Sequence, residues 1–162
     1  YRGEFGAAGE FGHMFVGENA PVPCSCGRYD CWEAHASEKA IVARYASALN
    51  GAANPSIDID RLIELARNGE TNAVETLKAS AHYLGIGISN LIVGFSPQAV
   101  VISGRIVRAW ELIRDELQVL AGRSIRNELE TPAIVPSALG DDPTVLGSVG
   151  LVLANKFASA GN

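Results

Sequence analysis

The chain has 162 residues, 48% of them hydrophobic and 19% charged, which describes one globular domain with a real core and excludes a disordered tail or a second full domain. Lys and Arg number 13 against 18 Asp and Glu, a net charge of −5, so the clustered basic surface that grips a nucleic-acid backbone is excluded. No apolar run reaches the roughly 20 residues of a membrane helix, and Tyr1-Arg2-Gly3-Glu4 lacks the charged-then-apolar pattern of a signal peptide, which points to a soluble, acidic, cytosolic domain.

Residues 1–31 are rich in Gly, Pro and turn formers, with short apolar pieces such as Met14-Phe15-Val16, and read as strand or loop ending in a compact knuckle. From Trp32 the pattern is helical: Ala34, Ala40, Ile41, Ala43 and Ala46 recur at helical spacing, with Ser37 placed to kink or restart the helix by capping. Asn50-Gly51 and Asn54-Pro55 close it. Asp58 or Asp60 caps a second helix carrying Leu62, Ile63, Leu65 and Ala66 and stopping at Asn68-Gly69. A longer third helix spans about Asn72 to Val93, with Val74, Leu77, Ala81, Leu84, Ile88, Leu91 and Ile92.

The period then switches. Ala99-Val100-Val101-Ile102 reads as a buried strand, ended by Ser103-Gly104, and a helix follows from about Val107 to Ala121. Pro132-Ala133-Ile134-Val135-Pro136 is a second short strand. The last helix starts near Thr144, and its Gly147, Ser148 and Gly150 permit close backbone approach. Strands, then helices, then strand–helix–strand–helix make a mixed α/β domain with a βαβ unit at its C-terminal end.

Cys24, Cys26 and Cys31 are the only cysteines. An odd number packed into eight residues is no disulfide framework, and clustered thiols in a reducing compartment read as a metal site. With His13 they supply one imidazole and three thiolates, a complete tetrahedral set for a structural zinc ion. Zinc with four protein ligands organises a loop and does not activate water.

Gly9-Glu10-Phe11-Gly12-His13, followed by Cys24-Ser25-Cys26-Gly27-Arg28-Tyr29-Asp30-Cys31-Trp32-Glu33, resembles the signature of the ROK family of repressors, open reading frames and sugar kinases. The likeness continues through the helices and the strand at Pro97 to Gly104 as far as Leu146-Gly147-Ser148, nearly the whole chain. It implies an α/β fold, the C-terminal lobe of an actin-like ATPase (ribonuclease H-like) fold with a zinc-bound loop. It also implies that Glu10, His13 and Glu33 hold a sugar while His13, Cys24, Cys26 and Cys31 hold zinc. A carboxylate accepts hydrogen bonds from vicinal hydroxyls, and an imidazole bound to metal through one nitrogen keeps the other for a hydroxyl. His35 and His82 read instead as helix-surface or core-edge residues, and Trp32 and Trp110 as packing anchors.

Three departures from the family pattern bear on function. Asp30 stands where the family has Gly, a substitution that Asp's tolerance of left-handed backbone accommodates. The family's kinases carry Gly-Gly after the strand, where backbone passes close to the nucleotide; here Gly104, the candidate cofactor-binding position, is followed by Arg105, whose bulk weighs against ATP and Mg, while a guanidinium near phosphates is the compatible alternative. The family's N-terminal lobe, with its first phosphate-binding loop and the aspartate that serves as general base, is not among these residues, so no catalytic residue is assigned. Arg105 and the Cys-Trp-Glu variant favour a sugar-responsive regulator whose helix-turn-helix, and with it any DNA contact, lies in another domain. An ATP-dependent, glucokinase-like sugar kinase is the alternative. The long apolar helix and an uncovered sheet edge lead to the expectation of a homodimer.

Overall fold

The computed structural model describes residues 3–49, 57–123, 131–140 and 143–158. Two short helices, α1 (Trp32–Ala36) and α2 (Glu38–Ala48), are separated by Ser37, whose backbone is extended (φ −67°, ψ 158°) and whose hydroxyl accepts from the Ala40 amide. This is the predicted interruption, with an N-cap as its physical cause. Helix α3 (Ile59–Arg67) is capped by Asp58, not Asp60, through the Arg61 amide, and ends at Asn68 before Gly69 at φ +83°. The Asn50-Gly51 and Asn54-Pro55 signals lie outside the described residues.

Helix α4 (Thr71–Phe95) is the spine, 25 residues long and thus about 37 Å. Glu70 caps it by accepting from the Asn72 and Ala73 amides, and Ser96 ends it in left-handed backbone (φ 46°). The helix runs two residues past the expected C-terminal end, because Phe95 is held by the Phe11 ring across an edge-to-face contact of 5.2 Å. Helices α1, α2, α3 and α5 (Trp110–Arg123) all pack on α4. The core between them is built from Ile41, Tyr45, Leu62, Leu77, Ile88, Ile113 and Leu117, each at most 4% exposed.

Strands β1 (Ala99–Ile102) and β2 (Ala133–Pro136) pair in parallel with Val100 beside Ile134, and α5 lies between them in sequence. This is the expected βαβ unit. A 3-10 turn over Arg105–Ala109 precedes α5, so the helix expected from Val107 is regular only from Trp110. Two expectations fail here. No strand precedes β1 among the described residues; residues 3–31 form turns and a single antiparallel bridge, Phe15 to Cys31. Nor is β1 buried throughout: Ile102 is covered but Val101 is 62% exposed, since α5 and the helical body pack on one face of a two-stranded sheet and leave the other open.

The last helix, α6 (Pro143–Ala158), is apolar on every side, yet none of its described side chains is buried. The close approach expected at Gly147 and Gly150 is made by no described part of the chain. No helix among the described residues is long and apolar enough to cross a membrane.

Two glycines of α4 test this packing in opposite directions. A methyl group at Gly87 would fall inside the Trp32 indole, whereas one at Gly94 meets nothing within 4 Å. Gly87→Ala is expected to cost about 1–3 kcal/mol in chemical denaturation, and Gly94→Ala to add about 0.5–1 kcal/mol from helix propensity. Equal effects at the two positions would contradict the seating of α1 on α4.

Candidate functional site

The loop ahead of α1 is stitched by its own backbone. Val16 N–H donates to Asp30 O (3.1 Å), Ala20 to Tyr29 O (3.0 Å) and Trp32 to Met14 O (2.8 Å), which lays residues 14–20 along residues 29–32. A tight turn closes Cys24 onto Gly27 and Arg28, with Gly27 at φ +84°, where an L side chain would be strained. Further upstream, a 3-10 turn over Phe11–His13 presents His13 to the knuckle. Arg28 fastens that turn by donating from Nη2 to His13 O (3.1 Å) and to Cys31 Sγ (3.3 Å).

These constraints bring the four predicted metal ligands together. One donor atom from each of His13, Cys24, Cys26 and Cys31 lies within 4.8 Å of all the others. His13 Nδ1 is 3.2 Å from Cys24 Sγ, and the Cys26 and Cys31 sulfurs are 3.5 Å apart. A tetrahedral zinc site with Zn–S of about 2.3 Å has ligand–ligand edges of about 3.8 Å, so both the donor set and its spacing fit such an ion. Hydrogen bonds from the Arg28 backbone and from Cys31 draw the Cys26 thiol down to about 6, while burial pushes the Cys31 thiol up to about 11. Negative charge therefore settles on exposed Cys26 before buried Cys31, and the Arg28 guanidinium beside them is held firmly protonated, chiefly by its bond to Cys31.

The predicted sugar-binding residues surround this cluster. His13 turns Nδ1 to the thiols and Nε2 to Glu10, whose Oε2 is 3.7 Å away. Glu33 stands in the first turn of α1; its Oε1 accepts from Ser25 N–H (3.1 Å) and its Oε2 from Ser25 Oγ (3.4 Å). Gly12 lies against Glu33, where even a methyl group would sit 3.6 Å from Oε2. Glu10, His13 and Glu33 thus share one exposed face of the knuckle, with carboxylate lone pairs left over to accept hydroxyl groups. Gly104 belongs elsewhere in the fold, at the end of β1, with φ +91° and its carbonyl accepting from Val107 (3.1 Å).

Several residues here escape a reading of the sequence. Ser25 orients Glu33 through two bonds, and only its place between two ligand cysteines hints at it. Arg28 ties His13 to Cys31 across 15 and 3 residues of sequence, and a guanidinium carries no periodic signal. Asp30 keeps a negative φ, so its tolerance of left-handed backbone is not called upon; its carboxylate meets Arg28 Nε at 3.4 Å instead. His35 is fully buried, at 1% exposure, rather than at the core edge, because the ring is stacked on Tyr83 at 4.1 Å. His82 is half-exposed and pairs with Glu116 at 2.9 Å. Trp32 is the packing anchor expected, its indole N–H donating to Tyr83 O (3.0 Å).

This chain is similar in sequence and in fold to known proteins. The chain is 30% identical to the xylose repressor of Bacillus subtilis over 94% of its own length and 38% of the repressor's. It is 28% identical to the glucokinase of Streptomyces coelicolor over 93% of its length and 52% of that enzyme's. The structure superposes on a ROK family glucokinase from Streptomyces griseus, solved with glucose and AMPPNP, with a TM-score of 0.78 at 27% identity, covering 93% of this chain and 53% of that one. The chain therefore spans about half, or less, of the length of the relatives it matches. The sequence profile of the ROK family matches residues 1–155, and with the knuckle and the helical body in place around that match, the chain belongs to the ROK family.

Proposed function

We propose that this chain is the sugar-binding, C-terminal lobe of a ROK transcriptional regulator, cytoplasmic and dimeric, with an actin-like ATPase fold completed by a lobe outside these residues. It senses a hexose or amino sugar through a zinc-organised site, and DNA contact belongs to a helix-turn-helix domain elsewhere in the protein. The observation that carries sugar sensing is the convergence of Glu10, His13 and Glu33 on one face of the Cys/His cluster. His13, Cys24, Cys26 and Cys31 would hold zinc, which supplies a fixed, closed coordination shell and no reactive position. Glu10 and Glu33 accept hydroxyl protons, His13 Nε2 offers a further polar contact, and Ser25 holds Glu33 in orientation.

The regulator half of the proposal rests on Arg105. Its guanidinium is held by both oxygens of Glu38, at 3.2 Å from Nε to Oε1 and through a short Nη2–Oε2 contact, and lies 3.6 Å from Asp60. Arg108 meets the same Asp60 at 2.8 Å. A guanidinium so engaged is turned to carboxylates and not to a phosphate, and the two guanidinium groups and two carboxylates beside the Gly104 turn balance in charge. The similarity to a xylose repressor supports the same reading. The kinase reading is favoured by a different observation, the superposition on a glucokinase holding glucose and AMPPNP.

Calorimetric titration with xylose, glucose, N-acetylglucosamine and N-acetylmannosamine, with and without Mg-ATP, separates the two. The regulator reading expects sugar binding that Mg-ATP does not change and no phosphorylated sugar in a coupled assay, with Glu33→Gln weakening the sugar at least about tenfold, the loss of a charge-assisted hydrogen bond. Turnover would establish the kinase. Exposed Val101 and Val135 on the open sheet face and the bare apolar α6 support self-association. Light scattering across a tenfold dilution is expected to give a dimer, and a monomer throughout would contradict it.

A further inference from the structure

His35 is the one buried polar side chain of the ligand-site helix, and nothing in sugar or metal binding uses it. It sits two residues after Glu33 on α1. Its Nε2 is 3.0 Å from Gly17 O, and the carbonyl can only accept, so the ring is an Nε2–H donor. Its Nδ1 is then a bare acceptor, buried and without a hydrogen-bond partner. The ring is pinned in that state from three sides. Tyr83 of α4 stacks on it at 4.1 Å, and Arg44 of α2 donates to the His35 carbonyl (2.9 Å) and to Ser80 (2.5 Å) while lying 5.3 Å over the Tyr83 ring. Gly17 closes the third side, where an added methyl group would lie 3.4 Å from Tyr83 Cε1 and 3.8 Å from His35 Nε2.

A buried acceptor left unpaired costs about 1–3 kcal/mol, and a leucine or phenylalanine would fill this place without that cost. What the imidazole alone provides is the bond to Gly17. Gly17 lies between Val16, which is bonded to Asp30, and Ala20, which is bonded to Tyr29. The His35 donor therefore fastens, from the helical body, the strand of loop that separates His13 from Cys24. Beside this bond, the loop meets α1 through the Met14–Trp32 bond, the knuckle itself and the packing of Ala20 in one cluster with Cys24, Cys31 and Ala34, none of which is a polar tie at Gly17.

We infer that His35 is a positioning residue for the metal knuckle: its Nε2–H bond to Gly17 anchors the loop between His13 and Cys24 so that the four ligands meet before any metal arrives. The inference rests on the metal reading of the cluster proposed above. It goes beyond that reading by assigning a role outside the ligand set, in the way that hydrogen bonds behind metal ligands commonly change affinity by 10–100-fold.

The test uses two amides that differ by one methylene. His35→Gln places its side-chain N–H where the imidazole Nε2–H was, and His35→Asn is too short to reach Gly17. Cobalt(II) replaces zinc as the probe, its thiolate charge-transfer and d–d bands reporting both affinity and tetrahedral geometry, and helical circular dichroism with thermal melting follows the fold. The wild type and His35→Gln are expected to bind cobalt within about threefold of each other, and His35→Asn at least about tenfold more weakly with its helical signal kept. His35→Phe, which retains the stack on Tyr83 and lacks a donor, should behave as His35→Asn does and serves if the asparagine variant does not fold. Equal cobalt affinity in all variants, with only the melting temperature lowered, would reduce His35 to a packing role and overturn the inference. So would loss of affinity in His35→Gln to the level of His35→Asn. A wild-type chain that takes up no cobalt fails the metal reading itself, a result distinct from either.

Discussion

A helix of five residues has no stability of its own, so α1 stands by packing on α4, where Trp32 is seated and His35 stacks on Tyr83. The indole lies in the space that Gly87 leaves empty and donates to Tyr83 O, one turn earlier on the same spine. Everything at the ligand face is referred to that seat. Cys31 precedes Trp32 and Glu33 follows it, and Trp32 N–H also receives the incoming loop at Met14 O. Cys31, Glu33 and the end of the loop are thus all placed next to one aromatic side chain seated over one glycine. Knuckle and helical body consequently form one unit, in which displacement of the indole would move Cys31 and Glu33 together.

The same short helix is joined at its other end to the βαβ unit. Ser37 breaks the chain into α1 and α2, and Glu38, the first residue of α2, reaches Arg105 just beyond Gly104. These charges are each about 40% exposed, so solvent screens them and their contribution to stability is small. Their weight is geometric: an arginine follows the left-handed Gly104, and its planar fork is matched by the Glu38 carboxylate. In this chain the turn after β1 carries two ion-paired arginines, Arg105 on Glu38 and Arg108 on Asp60, so its charges are balanced within the chain.

Much of this was legible in the sequence, and the reasons differ from residue to residue. The knuckle was legible because cysteine in a Gly- and Pro-rich loop has few uses other than metal, and because Cys24, Cys26 and Cys31 came with His13 in a specific pattern. Ser37 was legible because its hydroxyl competes for the first free amides of α2. The strand β1 was found from its β-branched run, but its burial was overestimated: a run of apolar residues shows that a strand can be covered and not how many layers cover it. Helix α6 shows the same limit, since its composition asks for partners on every side and the described chain provides none. Arg28, Ser25 and the His35–Gly17 bond were illegible because they are long-range polar contacts, fixed by how the loop folds back on α1 and unmarked by any periodicity.

The dependence of sugar recognition on the metal knuckle is tested most directly by titrating a recognised sugar into the chain loaded with one equivalent of zinc and into the same chain stripped with a chelator. If zinc fixes His13 between the thiols and Glu10, and holds Ser25 against Glu33, stripping should abolish or greatly weaken sugar binding while the helical signal of α4 and α5 persists, and re-addition of zinc should restore it. Sugar affinity unchanged by stripping, in a chain shown to be free of metal, would mean that the Cys/His cluster does not organise the binding face.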